Sequence, residues 1–130
     1  MATLNATLTL ASTDATSDTL NMTVTDSLTT GQPSVGLSKT AIAVSGGTAS
    51  VIVPAGAGNQ YVFIRHTGYQ SDGSTATTNQ VTIEIGGNTD LLRLAANEWC
   101  WFTSKSDEAI ECLSSSSQTI LIEYAYWTAA

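Results

Sequence analysis

Val81-Thr82-Ile83-Glu84-Ile85 alternates apolar and polar residues, stops at Gly86-Gly87-Asn88-Thr89-Asp90, and gives way to Leu91-Leu92-Arg93-Leu94. Glu98-Trp99-Cys100-Trp101-Phe102, the run from Ala109 to Leu113 and the run from Thr119 to Trp127 follow at short intervals. Alternation of period two, bounded by Gly, Asn, Asp and Ser, marks strands with one face buried. Such short strands in close succession belong to a sandwich, jelly roll or barrel.

The same pattern runs back to the N-terminus. Leu4, Ala6, Leu8 and Leu10 fall on one face, and Thr3, Asn5, Thr7 and Thr9 on the other. Residues 12–18 form a polar turn, after which Leu20, Met22 and Val24 alternate again. Residues 29–34, carrying Gly31 and Pro33, read as a loop, and residues 35–45 as a weak strand pair or one bent strand. Residues 50–53 make a short strand stopped by Pro54. Tyr61-Val62-Phe63-Ile64 has a continuous apolar centre, which predicts burial on both faces. Residues 68–79 read as a polar loop with a turn at Asp72-Gly73. The expectation is an all-β, jelly-roll-like antiparallel β-sandwich of about eight to ten strands with no substantial helix. Residues 1–130 make one domain, in which residues 1–30 are either a Thr-rich arm that pairs with a neighbouring chain or an ordinary edge hairpin.

Composition excludes several function classes. The net charge is −7 with only four cations, Lys39, Arg65, Arg93 and Lys105. Phosphate binding needs a basic footprint, so direct nucleic-acid binding is not expected. Polybasic attachment to a membrane fails for the same reason, and no apolar run approaches the roughly 20 residues that span a bilayer. The opening Met1-Ala2-Thr3-Leu4-Asn5 lacks the basic and apolar regions of a signal peptide, so synthesis and folding in the cytoplasm are expected.

Reactive groups are sparse. His66 is the single histidine, set in a strand beside Arg65, and a structural role is expected over general-base catalysis. No G-x-S-x-G elbow is present. No catalytic residue and no cofactor is expected. If residues 98–103 and 109–113 form a hairpin centred near Ser106, Cys100 and Cys112 lie directly opposite one another, as a candidate disulfide. In a reducing cytoplasm two buried free thiols are the default. The scattered carboxylates, Asp14 with Asp18 and Asp107 with Glu108 among them, lack calcium-loop spacing, and no zinc set exists, so no metal is expected. Trp99 and Trp101 share a strand face; Tyr124 and Tyr126 share another, with Trp127 opposite. Exposed, these rings would stack on sugars or anchor an interface; buried, they would be core. Because large aromatics bury most of their area, core and subunit interface are favoured. The interface candidates are therefore Leu4, Leu8, Leu10, Trp99, Trp101, Tyr124, Tyr126 and Trp127.

Val81-Thr82-Ile83-Glu84-Ile85-Gly86-Gly87, Leu91-Leu92-Arg93-Leu94, Ala95-Ala96-Asn97-Glu98, Trp99-Cys100-Trp101-Phe102 and the closing Ile122-Glu123-Tyr124-Ala125-Tyr126 together resemble a pattern of small bacteriophage virion proteins. The Thr-rich opening from Leu4 to Thr25 resembles the start of such proteins, while Ala96-Asn97-Glu98 stands where they carry a Pro-Gly-Glu-like turn. The resemblance implies a non-enzymatic capsid decoration (cement) protein on the outer surface of the virion. Its partners would be itself, as a homotrimer, and the major capsid protein. The alternative is a tail or fibre component that binds a host glycan or other tail proteins, and it requires an exposed Trp or Tyr platform. A hydrolase, the third reading, requires His66 in a cleft beside a nucleophile and a carboxylate.

Overall fold

The computed structural model describes residues 1–56, 58–105 and 107–130. Nine strands and no helix are found among them: β1 (Ala2–Ser12), β2 (Leu20–Ala41), β3 (Ser50–Val53), β4 (Gln60–Gln70), β5 (Val81–Ile85), β6 (Thr89–Leu94), β7 (Trp99–Ser104), β8 (Ile110–Ser114) and β9 (Ile120–Ala129). The chain divides into two compact units, Met1–Gly31 with Ala129–Ala130, and Gln32–Thr128.

The larger unit is an antiparallel β-sandwich. One sheet has residues 32–41 of β2 beside β9, then β4 and β7; the other has the order β3-β8-β5-β6. Counted from β2, the strand orders are 1-8-3-6 and 2-7-4-5. Every connection except the β5–β6 hairpin therefore crosses from one sheet to the other, which is the winding of a jelly roll. Side chains alternate along each strand. Val62 and Ile64 of β4, and Ile120 and Ile122 of β9, meet Ile52, Val53, Val81, Ile83, Ile110 and Cys112 of the other sheet in one cluster. Ile42 and Leu94 extend it. β-Branched residues dominate because their stiff side chains pack well on a pleated surface.

Two expectations change. Residues 29–34 are not a loop: β2 runs through them, with a cis Gln32–Pro33 bond. Proline is tolerated in a strand where its position needs no N–H for the ladder. Nor is β4 buried on both faces, since Val62, Ile64 and His66 point inward while Tyr61 and Phe63 are half-exposed and Arg65 is exposed. Large aromatic residues on an outer face read in sequence like a core.

The smaller unit is a hairpin. β1 pairs β2 from Ala2↔Thr30 to Ser12↔Leu20 without a bulge. On one face hydroxyls join across the strands, Thr7 to Thr25 at 3.1 Å and Thr9 to Thr23 at 3.2 Å, and the Ser27 hydroxyl donates to Asn5 Oδ1 at 2.7 Å. The other face pairs Leu4 with Leu28, Leu8 with Val24 and Leu10 with Met22. The Ala130 N–H donates to the Thr29 carbonyl at 3.0 Å.

The contrast between the units sets an expectation for stability. Ile64→Ala, at a site with no exposure, should cost about 2–5 kcal/mol. Leu8→Ala, on the open hairpin face, should leave monomer stability within about 0.5 kcal/mol. Urea denaturation at high dilution measures both.

Candidate functional site

β4 lies between β9 and β7, and its register brings the outward side chains of three strands into rows. Thr103, Tyr61 and Trp127 make the first row; Trp101, Phe63 and Ala125 the second; Trp99, Arg65 and Glu123 the third. Five aromatic side chains thus crowd one sheet face. Tyr61 and Trp101 are stacked, with ring centres 6.3 Å apart and planes within 7°. Trp101 and Trp127 sit at 6.1 Å, and Phe63 and Trp99 at 6.5 Å. Ala125 is buried beneath its neighbours although it lies outside the core cluster, so its small side chain makes room for the rings. Trp99 keeps 53 % of its surface exposed and Trp101 37 %. The Arg65 guanidinium stands 3.9 Å from the Glu123 carboxylate at the end of the platform, a loose surface pair of small energetic value. Isolated exposed apolar residues are ordinary, but a contiguous aromatic face marks a place where something binds.

The hairpin carries the second uncovered surface. Leu8 and Leu10 on β1 are 40 % and 43 % exposed, and Met22 and Val24 on β2 are 39 % and 54 % exposed. Leu4 and Leu28 are half-buried. The candidates Leu4, Leu8, Leu10, Trp99, Trp101 and Trp127 therefore lie on these two surfaces. Tyr124 and Tyr126 do not. Both point to the sandwich interior, Tyr126 as part of the core cluster and Tyr124 packed against it. They alternate with Trp127, and the inward register of Ile120 and Ile122 carries them inside. Tyr61 belongs to the aromatic set legible in the sequence, with Tyr69, and Phe63 joins it only through the register of β4. The alternation of Phe63 with Val62 and Ile64 was the available signal.

Cys100 and Cys112 are free thiols, not a disulfide. Ser106, the supposed centre of the hairpin, lies outside the described residues. The flanking strands belong to different sheets: β7 pairs β4, and β8 pairs β3 and β5. Facing sheets pack about 10 Å apart, beyond the roughly 7 Å Cα separation that a disulfide spans. Burial pushes the Cys100 thiol up to about 11. Burial, with smaller contributions from Cys100 and Glu84, pushes Cys112 up further.

His66 is fully buried on the inner face of β4. Its Nδ1 accepts the Gly68 N–H at 2.9 Å, which leaves Nε2 to carry the proton it donates to the Asn79 carbonyl at 2.8 Å. Both ring nitrogens are engaged by backbone, so the imidazole ties β4 to residues 77–79 and neither nitrogen is directed at a cleft. Gly68 has φ +84, and a Cβ there would lie 2.8 Å from Asn97 Oδ1. A shallow polar depression is lined by Gln70, Ala76, Thr77, Thr78, Asn79 and Gln118. It is held by the Asn79 and Gln70 amides donating to Gln118 Oε1 at 2.8 and 3.4 Å. Among the described residues no three His, Cys, Asp or Glu side chains gather closely enough to hold a metal ion. Asp72 is spent on its own turn, accepting from the Ser74 and Thr75 N–H groups and the Thr75 hydroxyl, which holds its carboxyl near 2.

The thiols give a pH prediction. An unfolded thiol ionises near pH 8.5, whereas the folded ones keep their protons to higher pH. Their contribution to stability is therefore intact below about pH 8.5 and declines as pH rises toward 11. Iodoacetamide at pH 8 should leave the folded protein almost unmodified, Cys100 should react with a midpoint near pH 11, and denaturant should release both thiols at pH 8. Mass spectrometry reads the adducts. Rapid modification of Cys112 in the folded protein at pH 8 would contradict its burial.

Comparison with known proteins finds no matching family model, no matching curated protein and no matching solved structure.

Proposed function

We propose that this chain is a non-enzymatic structural component of a bacteriophage virion, a decoration protein that binds and stabilises the head shell as a homo-oligomer. The resemblance in sequence supplies the virion context and the expected trimer. The observation that carries the assembly is the open apolar face of the hairpin.

A two-stranded hairpin is marginal in water by itself, and it gains stability when one face is covered. Here the face bearing Leu8, Leu10, Met22 and Val24 is uncovered in the isolated chain. The outer edge of β1 adds an unpaired row of N–H and C=O groups, and β1 has no Lys, Pro or bulge of the kind that blunts an edge. Charge favours a like partner. The chain carries −7 overall, yet β1 has no ionisable side chain, and within residues 20–31 the one charge is Asp26, which stands on this face opposite Ala6. Copies can meet through these hairpins with little repulsion. The acidic remainder of the surface is then left to face a basic patch of the shell, which speeds encounter and sets orientation more than it adds affinity.

The test combines mass and shell binding. In light scattering the intact chain should have three times the 13.5 kDa mass of one copy, and added to undecorated capsids it should saturate a discrete number of sites. Burial of each apolar side chain contributes roughly 1.5–3 kcal/mol, so Leu8→Asp with Leu10→Asp should weaken self-association about a hundredfold or more. The jelly roll should unfold as before. A monomeric intact chain, or a trimer indifferent to capsids, overturns the reading.

A further inference from the structure

We propose that the outer face of the β9-β4-β7 sheet is a binding platform for a neutral oligosaccharide, with Trp99, Trp101 and Trp127 as stacking surfaces. This goes beyond the assembly reading and uses a different part of the chain.

The two uncovered surfaces differ in chemistry. The hairpin face is aliphatic at Leu8, Leu10, Met22 and Val24, with a single carboxylate at Asp26. The sheet face is aromatic and keeps unspent polar atoms. Among the described residues, the indole N–H groups of Trp99, Trp101 and Trp127 and the Tyr61 hydroxyl make no hydrogen bond. A partner that used only hydrophobic burial would leave these donors stranded, and an unpaired buried polar group costs about 1–3 kcal/mol. A pyranose answers both requirements. Its C–H face lies on a ring, and its hydroxyls accept and donate at the ring edges and at the Arg65 and Glu123 heads. Arg65 and Glu123 are the only charges in the three rows, and they cancel. The platform therefore selects against a strongly charged ligand. The chain's excess of negative charge adds repulsion for an anionic glycan.

Geometry favours an extended ligand. Trp101 is in ring contact with both Tyr61 and Trp127, at 6.3 and 6.1 Å, so the rings of strands β4, β7 and β9 adjoin, and Trp99 continues the surface along β7. The rings come from strands hydrogen-bonded in register, so they are held in place before a ligand arrives, which lowers the ordering cost of binding.

The probes are neutral oligosaccharides of glucose, galactose, mannose and N-acetylglucosamine, four to six sugars long, titrated into the intact protein while tryptophan emission is followed. At least one should shift the emission with saturation. Trp101→Ala and, separately, the more exposed Trp99→Ala should each weaken that binding by about tenfold or more, with folding checked by circular dichroism. Light scattering on the same variants separates the two occupants of such a face. An unchanged oligomer alongside lost sugar binding supports the proposal. If either variant dissociates the oligomer, the face is a contact between copies and the proposal fails. It fails equally if no probe binds, or if binding survives both substitutions. Weakened self-association by Leu8→Asp with Leu10→Asp is read separately, because those residues are not in the three rows.

Discussion

The register of β4 against β9 and β7 is the constraint on which the sheet's two faces depend. Pairing Ile64 with Tyr124 and Cys100 sends Val62, Ile64 and His66 inward and Tyr61, Phe63 and Arg65 outward. A slip of one residue would exchange the faces. It would expose Val62 and Ile64 and force Arg65 into an apolar interior, where an unpaired charge is very costly. The inward set is specified again at the far end of β4, where His66 accepts from Gly68 and donates to Asn79. Those bonds close the irregularity between His66 and Gln70, and the left-handed φ of Gly68 admits the bend. One buried histidine thereby supports the register that positions the aromatic rows.

Much of this was legible in the sequence, because period-two alternation is a direct consequence of the pleat. Val81-Thr82-Ile83 and Leu8-Thr9-Leu10 could be assigned to strands and Asp72-Gly73 to a turn, but one buried face each is not what results: Thr82 and Glu84 are buried along with Val81 and Ile83, and Leu8 and Leu10 are exposed. What local pattern does not contain is which strand pairs with which. Residues 98–103 and 109–113 read as a hairpin because neighbours in sequence usually pair. In a jelly roll successive strands alternate between sheets, so β7 and β8 part company and the two cysteines fall on opposite layers. The reading of Tyr61-Val62-Phe63-Ile64 failed for a related reason. Hydrophobicity records that Tyr61 and Phe63 prefer to leave water, but not whether the protein's own core or a partner removes them.

That distinction separates the chain's apolar surfaces. Ile83, Ile110 and Ile122 are satisfied within the fold. Leu8, Leu10, Met22 and Val24 are not, and they stand on a strand pair whose opposite face is a Thr and Asn ladder suited to water. An amphipathic hairpin of this kind is stable to the extent that its apolar side is covered, so its folding and its assembly are linked by mass action.

The aromatic rows obey a different economy. Their rings already shield one another and Ala125, so the isolated chain tolerates them better than it would an equal area of exposed leucine. Their remaining exposure concentrates on Trp99 and Trp101, at the β7 edge of the sheet. A ligand arriving from that side meets rings whose polar edges are unspent, and it need not displace the contacts between Tyr61 and Trp101 or between Trp101 and Trp127. The aliphatic hairpin suits burial against its like, whereas the rings suit a partner that brings hydroxyls as well as C–H surface. A single charge-poor chain thereby presents two kinds of contact.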